Sequence, residues 1–337
     1  MKTIAAPTAP IASTKTPLNF IWLELTARCN LHCIHCYADS HPGLPLEDGM
    51  TRTHWERVLS EARDMGCEGV QFIGGEVLLV PYLDDLIRHA RNLGFSFVEV
   101  FTNATLLDDA TVEFFRSEGV HVATSFYCHE PEIHEQVTKR PGSWGKTLSA
   151  IDRLQQRGVS LRVGVIEMEV NRPYVADTVG FLRERGVAHV GIDHARSVGR
   201  GVSLSSTPSS LSELCGQCGN RRVCITSSGE VFPCIMSRAF PIGSVLNANL
   251  RAAISYDALS QFRRDLAAAK RTKQTEITAA CTPDCWPHGG CSPHDICVPH
   301  KKRADHELEP ALVTDACTPD CWPHGGCAPH DVCVPNK

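Results

Sequence analysis

No apolar run in this 337-residue chain approaches the roughly 18 residues that a membrane-spanning helix requires. The first 17 residues, rich in Ala, Pro, Thr and Ser, lack the apolar centre of a secretory signal and are expected to form a disordered arm. A basic excess is missing too: 33 Lys and Arg against 38 Asp and Glu leave a formal net charge of −5, which argues against a nucleic-acid partner. With 42% hydrophobic and 21% charged residues, the composition is that of an ordinary globular protein, long enough for one large domain and a smaller one. Cysteine is in surplus, at 17 residues. The odd count and the lack of an export signal turn these thiols away from disulfides and toward metal ligation in a reducing cytoplasm.

Three of them, Cys29, Cys33 and Cys36, fall within eight residues, directly after the apolar run Phe20-Ile21-Trp22-Leu23-Glu24-Leu25. A four-iron cubane needs four ligands, and ferredoxins supply the fourth cysteine nearby. Here the next cysteine is Cys67, in a setting that reads as packing. One iron is therefore expected to stay open to a ligand that is not protein. A structural zinc site is the competing reading, but it favours four closed ligands, commonly in CxxC pairs.

From about residue 18 to 200 short β-rich runs alternate with amphipathic helical stretches. Strands are expected at 20–25, 70–73, 97–102, 122–127, 161–166 and 189–193, with helices near 51–65, 82–93, 108–117, 143–157 and 174–185. Strand and helix in alternation imply a parallel sheet with right-handed crossovers. Six such units fit an α/β fold, a partial (β/α)6 barrel of TIM type, with chemistry at the C-terminal ends of the strands. The Ser-, Gly- and Thr-rich stretch 200–212 suggests a boundary between this core (18–200) and a loop-rich C-terminal region (201–337) holding twelve of the cysteines.

The spacing Cys-x3-Cys-x2-Cys after a first strand resembles that of the radical S-adenosylmethionine (SAM) enzymes. The resemblance implies a [4Fe–4S] cluster on Cys29, Cys33 and Cys36, with SAM on the open iron, and a 5′-deoxyadenosyl radical that takes hydrogen from a substrate. Gly74-Gly75-Glu76, after the second expected strand, stands where the family has Gly-Gly-Glu-Pro, with Val77 replacing the proline. The resemblance gives this segment the SAM ammonium; glycines permit close approach and a carboxylate suits an amine. It also points to Asn103 in Thr102-Asn103-Ala104-Thr105, to Ser125 for the ribose or carboxylate, and to His35 near the adenine. Cys128, following the fourth strand, is a candidate hydrogen donor to a substrate radical, against the plainer role of a buried core thiol. Arg196 and Arg200 are candidates for clamping a substrate carboxylate, against a solvated loop.

In the tail, Cys215 or Cys218, then Gly229 and Cys234, match the opening of the SPASM extension found on many radical SAM enzymes. That makes the C-terminal region a SPASM-like domain with one or two auxiliary [4Fe–4S] clusters, its hairpin turning at Gly229. The second half departs from the usual pattern. CTPDCWPHGGCSPHDICVP at 281–299 recurs as CTPDCWPHGGCAPHDVCVP at 317–335, differing only at Ser292/Ala328 and Ile296/Val332. Each copy offers four thiols, Cys281, Cys285, Cys291 and Cys297, then Cys317, Cys321, Cys327 and Cys333. Zinc is the competing metal, because each copy also carries two histidines (His288 and His294, His324 and His330).

Enzymes of this kind often modify ribosomally made peptides, so the leading expectation is crosslinking, epimerisation or oxidation of such a peptide. The alternatives are a dehydrogenase or epimerase of a small molecule, and a non-catalytic metal-binding or redox protein. A flavodoxin or ferredoxin is the expected reductant. The 17-residue N-terminus is too short to grip a leader peptide, so a separate recognition protein, or direct capture by the barrel rim, is expected to serve. Neither membrane nor nucleic acid is expected.

Overall fold

The computed structural model describes residues 18–204 and 210–280, the last eight of these as backbone alone. Six parallel strands form most of one sheet: β1 (Phe20–Glu24), β2 (Gly69–Ile73), β3 (Phe97–Phe101), β4 (His121–Ser125), β5 (Leu161–Glu167) and β6 (His189–His194). Between them run α1 (Arg52–Asp64), α2 (Leu83–Asn92), α3 (Asp109–Ser117), α4 (Pro131–Thr138), α5 (Ser143–Gln156) and α6 (Val175–Glu184). All five residues of β1 and of β2 are buried, as expected of parallel strands covered on both faces. Asp108 caps α3 by accepting from the Thr111 amide at 2.8 Å. The expected alternation is thus present, with one addition: α4 precedes α5, so the β4–β5 crossover uses two helices. Pro131 opens α4 at its first turn, where the missing N–H costs nothing.

The sheet continues past residue 200. The chain adds β7 (Arg222–Ile225), β8 (Glu230–Phe232) and β9 (Gly243–Ser244), then α7 (Leu250–Ala253) and α8 (Tyr256–Ala280). The strand order is β6-β5-β4-β3-β2-β1-β7-β8-β9. β7 lies parallel to β1, pairing Phe20 with Arg222 and Leu23 with Ile225. β8 returns antiparallel through the turn at Gly229, whose φ of 78° lies in the left-handed region open to glycine. The architecture is α/β, a partial parallel barrel whose first strand also carries the start of the tail.

The main core fills the space between sheet and helices, around Trp55, Phe72, Leu86, Phe115 and Ile151. A second apolar cluster joins Phe20, Trp22 and Phe97 of the barrel to Cys218, Cys224, Phe232 and Cys234 of the tail and to Phe262 of α8. Phe72 is fully buried on β2. We expect Phe72→Ala to destabilise the apoprotein by about 3–5 kcal/mol, read as a lower urea midpoint with an unchanged slope.

Candidate functional site

The three-cysteine loop leaves β1 at its C-terminal end and returns to α1. It is shaped by backbone hydrogen bonds from several directions. The His32 and Ile34 amides donate to the carbonyls of Thr138 and Val137 at the end of α4, at 3.2 and 3.0 Å. Cys29 N donates to His41 O, and Cys36 N to Cys33 O, both at 3.3 Å. Cys29 is buried and Cys33 and Cys36 are half-buried, none of them in a disulfide. The sulfurs are dressed with donors: Leu31 N on Cys29 and Ser40 N on Cys36, each at 3.4 Å, and Asn103 Nδ2 on Cys29 at 3.7 Å. Burial, then the charge of Glu76, pushes the Cys29 thiol up to about 12. Burial, then the neighbouring Cys36 and Cys29, does the same for Cys33. A pocket lined by three cysteines and supplied with amide donors offers the ligand type that an iron–sulfur centre uses.

Gly74 and Gly75 line the same cavity, and their lack of a side chain serves the cysteine loop directly. A Cβ on Gly74 would stand 2.5 Å from the Thr26 carbonyl, and one on Gly75 would collide with the Arg28 carbonyl. In their place Gly75 N donates to Thr26 O at 2.7 Å and Glu76 N to Arg28 O at 2.9 Å. Glu76 is fully buried. Its carboxylate accepts from Leu78 N at 3.0 Å, Thr102 Oγ1 at 2.6 Å and Asn103 N at 2.8 Å, so it braces the glycine turn against the end of β3. Burial raises its pKa while these three donors lower it. Asn103 reaches back to the loop, donating to Asn30 Oδ1 at 2.8 Å.

These elements open onto a cavity of about 560 Å³. Cys29, Cys33, Cys36, His35, Gly74, Gly75, Asn103 and Ser125 all line it, and so do Cys215, Cys218 and Cys234 of the tail. Eleven of the expected site residues therefore share one space. His35 packs edge-on against Tyr127 at 5.0 Å between centroids, and burial followed by the Arg200 charge lowers its pKa to about 4. Its Nδ1, Ser40 Oγ and Tyr37 Oη are buried polar atoms with no hydrogen-bond partner among the described residues. Such orphans around a cavity fit a polar cofactor such as SAM.

Cys128 stands elsewhere. Ser125 and Tyr127 face the cavity, and the alternation of an extended chain turns Cys128 to the opposite side. Its sulfur is fully buried, accepts from Glu130 N at 3.4 Å and lies beside Thr178 of α6. The strand-end position that suggested a hydrogen donor thus puts the thiol out of reach of the cavity. Cys67 is likewise buried, donating to Gly69 O at 3.3 Å.

In the tail, the Cys218 and Cys234 sulfurs are 2.8 Å apart, with Cys215 beside them. Hydrogen bonding to Cys215 and Cys234 raises the Cys218 thiol, and hydrogen bonding to Cys218 lowers Cys234. Helix α8 runs along this group, with Phe262 and Leu266 packed in the same cluster and Lys270 Nζ donating to Ser212 O at 2.9 Å. It ends at Ala280, one residue before the first cysteine block. Cys281, Cys285, Cys291, Cys297, Cys317, Cys321, Cys327 and Cys333 lie outside the described residues.

Several cavity residues carry no signal in the sequence. Glu99 of β3 pairs with Arg162 of β5 through two hydrogen bonds of 2.7 and 2.8 Å and accepts another from Gln71 of β2. Outside the cavity lining, the buried Glu24 at the end of β1 forms an ion pair with the partly exposed Arg238 of the tail. Arg196 is bound by Asp193 at 2.9 Å, and Arg200 binds the cysteine loop itself, so neither guanidinium stands ready for a substrate carboxylate.

Residues 23–182 match the profile of the radical SAM superfamily, and residues 215–286 that of the SPASM iron–sulfur cluster-binding domain. The chain carries a radical SAM domain followed by a SPASM domain. These two domains imply [4Fe–4S] clusters and SAM as cofactors. The AdoMet-dependent heme synthase of Methanosarcina barkeri is 28% identical over 192 residues, covering 57% of this chain and 54% of that protein. The antilisterial bacteriocin subtilosin biosynthesis protein AlbA of Bacillus subtilis is 27% identical over 183 residues, 54% of this chain and 40% of its own length. The chain thus spans about half the length of the curated relatives it matches. Among solved structures, Streptococcus suis SuiB bound to its precursor peptide SuiA superposes with a TM-score of 0.60 at 15% identity, over 73% of this chain and 66% of that one. That likeness is one of fold.

Two outcomes follow from the geometry. Gly75→Ala drives a Cβ into the Arg28 carbonyl, so the variant should lose the iron and sulfide of the N-terminal site while keeping those of the tail, by elemental analysis and electron paramagnetic resonance. His134, buried behind Tyr127, accepts from the Tyr127 amide at 3.3 Å, and burial lowers its pKa from 6.5 to about 3. The unfolded chain therefore binds a proton that the native chain refuses, and stability falls as pH drops from 6.5 toward about 3. His134→Gln should flatten that limb of the stability profile, measured by urea unfolding of the apoprotein.

Proposed function

We propose that this chain is a radical SAM enzyme that modifies a ribosomally made peptide, with Cys29, Cys33 and Cys36 holding the SAM-binding [4Fe–4S] cluster. Residues 18–200 form the catalytic core and 201–337 the auxiliary-cluster region in this reading. The observation that carries it is the cavity joining the three-cysteine loop to Cys215, Cys218 and Cys234. When bound, the cluster and SAM supply a 5′-deoxyadenosyl radical that removes a hydrogen atom from the substrate.

The chain's own residues do the positioning. Gly74 and Gly75 seat the loop whose three cysteines line the cavity, and Glu76 locks that turn to Thr102 and Asn103. His35 and Ser40 offer polar atoms to the cofactor. Ser125, on β4, registers with Gly164 of β5 and Gly164 with Gly191 of β6, so the wall beside Ser125 carries no side chains. β6 is the sheet edge on that side among the described residues, and a sheet edge with backbone-lined walls suits an extended peptide. AlbA, named for bacteriocin biosynthesis, and SuiB, solved with a precursor peptide, support the same substrate class. A flavodoxin or ferredoxin would deliver the electron, and a separate protein would recognise the leader.

A small-molecule substrate is the second reading. It is favoured by the heme synthase among the relatives and by a cavity volume within the usual small-ligand range of about 300–1,000 Å³. Anaerobic reconstitution with SAM and dithionite should give 5′-deoxyadenosine, and Cys33→Ala should give none. Co-expression with a short Cys-, Trp- or repeat-rich reading frame from the same gene neighbourhood should then change the peptide mass by loss of hydrogen, or by deuterium uptake in heavy water. Well-loaded protein that cleaves SAM but leaves every such peptide unaltered would hand the site to the small-molecule reading.

A further inference from the structure

The segment after β6 wraps over the three-cysteine loop, and one side chain makes most of the contact. Arg200 Nε donates to Cys33 O at 2.8 Å, Nη2 to Ser40 O at 2.7 Å and Nη1 to Asp39 Oδ1 at 2.7 Å. Its own amide donates to Cys36 O at 3.0 Å. One residue thus grips the loop on both sides of Cys36. The approach requires Gly199, at φ 57°, because a Cβ there would collide with the carbonyls of Cys36 and Tyr37. Gly201 is pressed the same way onto the Arg196 carbonyl. The Arg200 side chain is only 18% exposed, so its fork is committed to the loop rather than to solvent.

We propose that Arg200 is a positioning residue for the cluster: it holds the cysteine loop, through two carbonyls and Asp39, in the conformation that presents Cys33 and Cys36 together. A guanidinium suits the task because its planar, fixed donors reach three acceptors at once, which a lysine ammonium on a flexible stem does not. Two sets of contacts secure the loop from different elements. α4 holds His32 and Ile34, while Arg200 holds the stretch from Cys33 to Ser40. Residues that orient metal ligands in this way typically change metal affinity by about 10–100-fold when removed.

The test begins in the apoprotein, which separates it from the assignment of the cluster. Hydrogen exchange of Arg200→Ala should accelerate at the amides of Cys36, Asp39 and Ser40 by on the order of ten-fold, while His32 and Ile34 stay protected. After reconstitution, a chelator should strip the N-terminal cluster on the order of ten-fold faster, with the tail signals unchanged. Arg200→Lys should behave like Arg200→Ala in both measurements, and Arg172→Ala, an exposed rim arginine bound to Glu167, should leave both unaltered. Should Arg200→Ala fail to fold, Asp39→Ala removes one acceptor at an exposed position, and its loosening should stay confined to the same amides. Unchanged exchange at those amides overturns the proposal, and so does full restoration by lysine, which would assign the effect to charge alone.

Discussion

The site depends on a backbone contact, the packing of Thr26–Arg28 against Gly74 and Gly75. Two segments that leave neighbouring strands approach too closely for any side chain, and amide-to-carbonyl bonds from Gly75 and Glu76 close the gap. Glu76 carries the tie onward to Thr102 and Asn103, and Asn103 returns to the cysteine loop through Asn30. Three strand ends are therefore joined in a ring around the sulfurs. Short polar side chains and backbone do this work, which keeps the ring stiff and leaves the apolar bulk of the protein free to pack behind it.

Beneath the ring, the barrel interior holds charges in matched sets. Glu99 with Arg162, Glu24 with Arg238 and Asp193 with Arg196 each pair a buried carboxylate with a guanidinium. Such pairs add little net stability, since desolvation offsets the attraction, but losing one partner strands the other. Their placement is informative. Each joins groups distant along the chain or fixes the start of a loop, so they set geometry in a lumen that an apolar filling would otherwise close.

Much of this was legible from the sequence, and the exceptions have physical causes. The six strands lie within one or two residues of their expected positions, and β1 and β2, buried on both faces, read as largely apolar runs. The cysteine loop and the glycine turn were found by residue type and spacing. The sequence announced close approach at Gly74-Gly75, though not that the approaching body is the cysteine loop itself. α4 escaped because eight residues led by a proline carry too little helical periodicity to register. Arg200 sits among Gly and Ser and looks solvated until the chain is folded over it. Cys128 takes the plainer of its two readings, a buried thiol, because adjacent positions on an extended chain face opposite ways and Ser125 occupies the inward phase.

The pairing of β7 with β1 has a wider consequence. β1 is an inner strand shared by the barrel and the tail, with its hydrogen-bonding groups engaged on both flanks by β2 and β7. Cutting the chain between the two halves would turn this wholly buried strand into a bare edge, sticky toward any other chain that offers one. The halves are thus not exchangeable modules threaded on a string. Recombination that grafted a new tail onto this barrel would have to supply a strand of matching length and direction before it could supply any new chemistry.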